Sequence, residues 1–287
     1  MGRIDDLANS YVDEWAPLDP IAATYVGISG YDDKLTNLSP EGYAALADLD
    51  RRTLAQLATV EPADESERVS KEAMVERLEL AVARYDAGDV TSELNVISGG
   101  LHSVRSVFDL MPIEGDQAVG DLAARLAAVP ATLVQLRATL MEAADAGHVS
   151  ARQQIIEVAK QCAIWTDPDG DDFYPALARR VEGANELPSA LRGEIERAAA
   201  AANEATADFG RFLRDELAPR GRQRQAAGRQ RYELASQYFL GARIDLDETY
   251  AWGFQELARL ESEMRRVADK IVPGGGIEDA VAALDAL

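Results

Sequence analysis

Apolar residues in this chain recur at spacings of three and four almost from end to end, while the alternation of a half-buried strand is nearly absent. That periodicity commits the chain to an all-α fold built from helices that each bury one stripe. Ile4, Leu7, Ala8, Tyr11, Val12 and Trp15 fall on one face of a first helix that ends before Pro17. Asp19 is placed to cap a second helix, with Pro20 at its first position and Gly27 as its stop. Ser39 and Pro40 repeat that start for a helix reaching about Val60. A longer helix from Glu67 to Ala87 presents Met74, Leu78, Ala81, Val82 and Tyr85 before Gly88. These read as members of an irregular multi-helix bundle.

From Val90 to Pro112 the period blurs around Gly99 and Gly100. Two helices, Asp116 to Val129 and Ala131 to Ala146, are expected to join near Pro130, because proline removes a donor and crowds the preceding turn. Ser150 should cap the helix that carries Cys162 and Trp165, and an acidic turn should lead to a helix through Val181. Pro188 starts a long helix expected to end before Pro219, whose alanine-rich middle permits close helix packing. Asp247 is the expected N-cap of a last clean helix, with Glu248 in the first turn and an apolar stripe from Tyr250 through Phe254, Leu257, Met264 and Val267 to Ile271. Pro273 and three glycines end it, and a further helical pattern runs from Ile277 to Leu287. No solenoid repeat emerges. The domain expectation is a bundle over 1–218, followed over 219–287 by a basic linker, a long helix and the start of a truncated one.

At 287 residues the chain can bury a core covering roughly 75% of the surface of the unfolded chain. A net charge of −21 argues against nucleic acid and against anionic membrane as partners, and favours cations or basic peptides. Cys162 is the sole cysteine, so no intrachain disulfide can form; beside Ile155, Ile156, Ala159 and Ala163 it reads as a small buried thiol. The start has no apolar leader core, and no stretch approaches the ~20 apolar residues of a membrane helix, so a soluble cytoplasmic protein is expected.

Few residues offer chemistry. The turn from Asp167 to Asp172 has carboxylates at positions one, three and five of a calcium loop, but position six is Asp172 instead of Gly and position twelve is Ala178 instead of Glu. It reads as a solvated turn with Asp172 capping the next helix. Arg220, Arg222, Arg224, Arg229 and Arg231 form a basic run, within which Arg229 and Arg231 are the candidates for holding a substrate carboxylate; the plainer reading is a linker whose arginines pair with surface acids. Tyr31, Asp32, His102 and Tyr232 are the candidates for a substrate-facing wall, since polar and aromatic residues at breaks in a helical pattern line clefts. The alternative makes the tyrosines packing residues, Asp32 a turn former and His102 a consequence of the glycines before it. Gly274 to Gly276 lack the Lys-Ser/Thr of a phosphate loop, and no serine-hydrolase elbow is present.

Several short patterns, taken together, resemble a bacterial family. They are Asp19-Pro20-x-x-Ala23-Thr24-x-x-Gly27, Tyr31-Asp32-x-x-Leu35, Arg125-Leu126-x-x-Val129-Pro130-x-x-Leu133, and, later, Gly228, Tyr232, Leu240-Gly241, Asp245-Leu246-x-Glu248 and Gly253-x-x-Glu256-Leu257 with Met264. Their order is similar to that in the family catalogued as domain of unknown function 885, whose members resemble zincin-type metallopeptidases. The resemblance implies a His-Glu-x-x-x-Gly-His-His segment, which this chain lacks: its only histidines, His102 and His148, lie 46 residues apart and neither precedes Glu. It therefore implies the N-terminal half of a larger zincin-like helical fold, with no metal ligand or catalytic residue of its own. Zinc would belong to a full-length relative, the partner would be a C-terminal catalytic half, and the ligand a peptide running along a channel wall. Self-association through uncovered apolar surface follows from the same reading. The competing expectation is a free-standing acidic helical binding protein with no enzymatic activity.

Overall fold

The computed structural model describes residues 2–170 and 172–286, so Asp171, the fifth position of the acidic turn, and Leu287, where the last helical pattern was expected to end, lie outside the described residues. Among the described residues there are helices and no strands, apart from one isolated parallel bridge between Ala151 and Arg222. The chain divides into two compact units, Met1–Arg231 and Tyr232–Leu287.

The first unit begins with α1 (Arg3–Trp15), α2 (Pro20–Tyr25), α3 (Pro40–Thr59) and α4 (Glu65–Asp86). Their starts obey local capping chemistry: the side chains of Asp19, Ser39 and Asp64 accept from the amides of Ala22, Gly42 and Glu67, satisfying donors that a helix leaves orphaned. A small core of Ile4, Leu57, Val60 and Leu78 joins α1, α3 and α4. Next come α5 (Gly100–Ser106), a 3-10 turn (Val107–Asp109), α6 (Asp116–Asp145), α7 (Arg152–Trp165), α8 (Phe173–Ala184) and α9 (Ser189–Phe212). The main core lies where α6, α7 and α8 pack around α9, through Leu122, Leu126, Leu133, Ile155, Leu177, Ile195 and Phe209. Gly210 lets α9 approach α7 closely: a Cβ there would stand 2.8 Å from Cys162 Cβ.

Several expectations need correction. The two helices expected to meet at Pro130 are one, α6, with the proline inside it. The buried stripe of Leu126, Val129, Leu133 and Leu136 runs through the proline turn, and packing of that stripe outweighs the lost backbone hydrogen bond. Ala151, not Ser150, occupies the N-cap of α7, because the Ser150 hydroxyl is committed to the Ser92 carbonyl at 2.8 Å. Asp172 does stand at the N-cap of α8, but in the left-handed region (φ 36°) with no side-chain cap bond; its carboxylate meets Arg179 at 3.3 Å instead. The α-helix from Ser189 gives way after Phe212 to a π turn (Leu213–Leu217) and a 3-10 turn (Ala218–Arg220) that includes Pro219. In addition, α6 contains an 18-residue window of mean hydropathy 1.3, so one helix is, by length and composition, apolar enough to cross a membrane, where none was expected. Half of that window is buried in the first unit.

The helix α10 (Arg229–Leu240) starts at the end of the first unit, and α11 (Leu246–Ile271) and α12 (Ile277–Asp285) follow in the second. The cap of α11 is Asp245, whose Oδ1 accepts from the amides of Asp247 and Glu248 at 2.9 and 3.0 Å; Asp247 lies inside the first turn, two residues past the cap, where it still favours the positive helix end. Ala268 on α11 and Ala280 on α12 are buried where these helices meet, and the larger apolar side chains of α11 are exposed.

Candidate functional site

Arg125 sits one helical turn from Asp121 and Leu122 on the inward stripe of α6, and is completely buried. Burial pushes its guanidinium pKa down, and the charges of Asp32, Asp33 and Asp121 act in the opposite direction. Its hydrogen bonds go to carbonyl and hydroxyl oxygens of α2 and of the segment leading out of it. The Nε donates to the Lys34 carbonyl at 2.8 Å, and Nη2 to the Thr24 hydroxyl at 2.7 Å and to the Pro20 and Tyr31 carbonyls at 3.2 Å each. Thr24 in turn donates to Asp32 Oδ1 at 2.8 Å. The Thr36 hydroxyl donates to the Asp19 carboxylate and accepts from the Ile21 amide, closing the loop on α2. One fork-shaped cation thus fixes the whole turn that places Tyr31 and Asp32. Its Nη1 is buried without a partner.

In front of this clamp lies a cleft of about 470 Å³. Thr24 and Asp32 form one wall; Glu114, Asp116 and Asp121, at the start of α6, form another. Leu110, Met111 and Pro112, which follow the 3-10 turn, supply apolar surface, and Leu110 is half exposed. Gly115 makes the corner: at φ 93° it adopts a conformation that L residues avoid and turns the chain into α6. Four carboxylates on a partly apolar hollow suit cationic organic groups better than anions.

Of the wall candidates, Tyr31 and Asp32 come together here. Asp32 lines the cleft, while Tyr31 gives its carbonyl to Arg125 and lies with its ring 5.7 Å from Lys34 Nζ. His102, on α5, is not among the cleft residues. Its Nε2 is 3.1 Å from Gln161 Oε1, its ring meets Trp165 edge-on at 5.4 Å, and its Nδ1 is buried without a partner. Burial holds its pKa below the ordinary value. Tyr232 opens the second unit with its side chain exposed.

Arg229 begins α10, and Arg231 closes the first unit. Arg231 Nε is 3.2 Å from Asp89 Oδ1, and its Nη2 donates to the Ser92 hydroxyl at 2.9 Å. Asp89 is also held by Arg84 at 3.0 Å. Elsewhere in the basic run, Arg220 meets Asp145 at 2.6 Å, and Arg222 donates to the Val149 carbonyl at 2.9 Å. The other histidine, His148, lines a separate hollow of about 280 Å³ with Tyr85, Asp86 and Glu142. Cys162 is buried, and burial pushes its thiol up to about 12, which leaves it a thiol at neutral pH. Among the described residues no group of three or more His, Cys, Asp or Glu side chains is arranged to hold a metal ion.

The clamp residue itself escapes a reading by local pattern. In the sequence Arg125 stands out only as part of the family pattern; the local signal that marks it is a lone arginine spaced three and four from Leu122 and Val129, where an apolar residue belongs.

Two solved structures share this architecture. "The putative lipoprotein from Colwellia psychrerythraea" superposes with a TM-score of 0.79 at 15% identity, over 98% of this chain and 54% of that one. "A putative lipoprotein of unknown function from Shewanella oneidensis" superposes with a TM-score of 0.70 at 17% identity, over 96% of this chain and 49% of that one. At such identities the likeness establishes the fold alone, and the chain spans about half the length of these structures. No curated protein matches the sequence. The family described as "Bacterial protein of unknown function (DUF885)" matches residues 20–287, and the chain belongs to it.

Proposed function

We propose that this chain is the N-terminal helical portion of a zinc metallopeptidase-like protein, forming a wall of a peptide-binding channel and not catalytic by itself. The observation that carries this reading is the second unit, where Tyr250, Phe254, Leu257 and Met264 on one face of α11 and Val281 and Leu284 on α12 all stand exposed. A continuous apolar face of that extent is a surface made to be covered. That the chain spans about half of the solved structures it resembles supports a covering half supplied by the rest of such a protein. Zinc, the general base and the polarised water would then lie in that half, and the Tyr31–Asp32 wall would face the peptide. The test is direct: the purified chain is expected to retain no zinc by atomic absorption and to cleave no peptide, whereas stoichiometric, tightly held zinc overturns the reading.

A second reading, a free-standing acidic binding protein, is favoured by the cleft beside Arg125, whose acid-lined wall is already complete within the first unit. The reading frame beyond codon 287 separates the two. A His-Glu-x-x-x-Gly-His-His segment downstream supports the first, and an immediate stop supports the second.

A further inference from the structure

We propose that the cleft between α2 and the start of α6 is a binding site for a basic peptide segment, taking a lysine or arginine side chain together with an apolar neighbour. The inference rests on the cleft alone and holds under either reading above. Its starting point is the cavity: about 470 Å³ is room for more than one side chain, and within the range of sites that enclose small ligands. Its apolar wall includes Leu110, half exposed in the short stretch between the buried Phe108 and Met111, which gains by being covered.

Charge then selects the ligand. Asp32, Glu114, Asp116 and Asp121 all line the cavity, against a single cation, Arg125, which is buried behind Thr24 and fully occupied in holding the wall except at Nη1. The balance is negative, and a low-dielectric apolar wall beside it strengthens the field on a cation that enters. A bare metal ion does not fit, because these carboxylates are not gathered into a group of three that could chelate one. Acids spaced around an apolar surface suit a large, soft cation whose charge sits at the end of an aliphatic stem: ammonium or guanidinium at the rim, methylenes along Leu110. The clamp keeps this geometry rigid, so little is lost in ordering the site on binding.

Fluorescence anisotropy with the whole chain tests the proposal, using a labelled hexapeptide of alternating leucine and lysine and its leucine–glutamate counterpart. Saturable binding of the basic peptide alone is expected. Asp116→Asn with Asp121→Asn should weaken it about tenfold by removing two nearby charges. Ala118→Trp should block it by filling the cavity. Glu194→Gln with Glu196→Gln, exposed acids on α9, should leave it unchanged. Circular dichroism of each variant reports folding, and the two cleft variants perturb the site by different means, so one that fails to fold is replaced by the other. Equal weakening by the α9 control pair assigns the binding to general surface charge and overturns the proposal. So does unaltered binding by the cleft variants, or binding of spermidine as tight as that of the peptide, which would show that the apolar wall plays no part.

Discussion

Arg125 does what a core leucine in its place could not: it ties three stretches of chain, at Pro20, at Thr24 and at Tyr31 to Lys34, to one helix. Removing it takes the donor from the Lys34 carbonyl, takes one donor each from the Pro20 and Tyr31 carbonyls, which keep bonds from Thr24 Oγ1 and the Lys34 amide, and opens a cavity. Arg125→Met should therefore cost about 3–4 kcal/mol of unfolding free energy in urea denaturation, near the top of the range for point substitutions. A cost under about 1 kcal/mol would mean that water replaces the clamp. Its place among the family patterns is in the sequence, but its role is not, since its partners lie 91 to 105 residues away and no local pattern carries that distance. His102 offers a second test at this scale. Burial lowers its folded pKa below the unfolded value of about 6.5. It thus contributes stability above that unfolded value, and the contribution is lost as pH falls through it toward the lower folded pKa. Comparing unfolding free energies at pH 7.5 and 5.5, His102→Gln should lose less stability on acidification than the parent chain. An equal loss would place the titration elsewhere.

The starts of α2 and α3 agree closely between sequence and structure. Asp19, Ser39 and the proline that follows each of them mark a cap and a first turn and act as such, whereas the Ser150 hydroxyl is drawn away from capping by the Ser92 carbonyl. Pro130 shows the opposite case. Its effect depends on what the flanking turns bury, and Leu126, Val129 and Leu133 are all in the core, so packing holds α6 together through a residue that on propensity alone should divide it. Asp245 and Asp247 were similarly hard to tell apart, because either could cap and only the backbone conformation at Asp245 (φ −74°, ψ 112°) decides. The tight crossing of α7 and α9 yields a prediction for elements. Gly210→Ala gains about 1 kcal/mol in helix propensity but sets a methyl 2.8 Å from Cys162 Cβ and 3.4 Å from the Ala159 carbonyl. Overpacking between two helix backbones costs typically about 1–3 kcal/mol, so the net effect should be a loss of about 1 kcal/mol and a lower melting temperature. A rise in melting temperature would show that the two helices can separate slightly at no cost.

For the molecule as a whole, the two units differ in kind. The first has a continuous core from Ile21 to Ala218; the second, among its described residues, buries only Ala268 and Ala280. The apolar stripe of α11 was legible as a helical face from Tyr250 to Ile271, because a 3.6-residue period is a local property. What covers it was not, because a covering surface belongs to another part of a structure and leaves no mark on the stripe itself. Helices that bury so little draw little stability from tertiary packing, which is where most helical stability in proteins comes from. Native-state hydrogen exchange should therefore find the amides of α11 and α12 exchanging through openings well below the global unfolding free energy, while those of α6 and α9 exchange only near it. The same exposed face should make the chain bind a hydrophobic dye and self-associate in sedimentation runs as concentration rises. Leu257→Glu with Met264→Glu, which puts two charges on that face, should reduce both signals without altering the protection of α6 and α9. Equal protection in the two units, or a monomer that ignores the dye, would show that the face is stable in water and needs no partner.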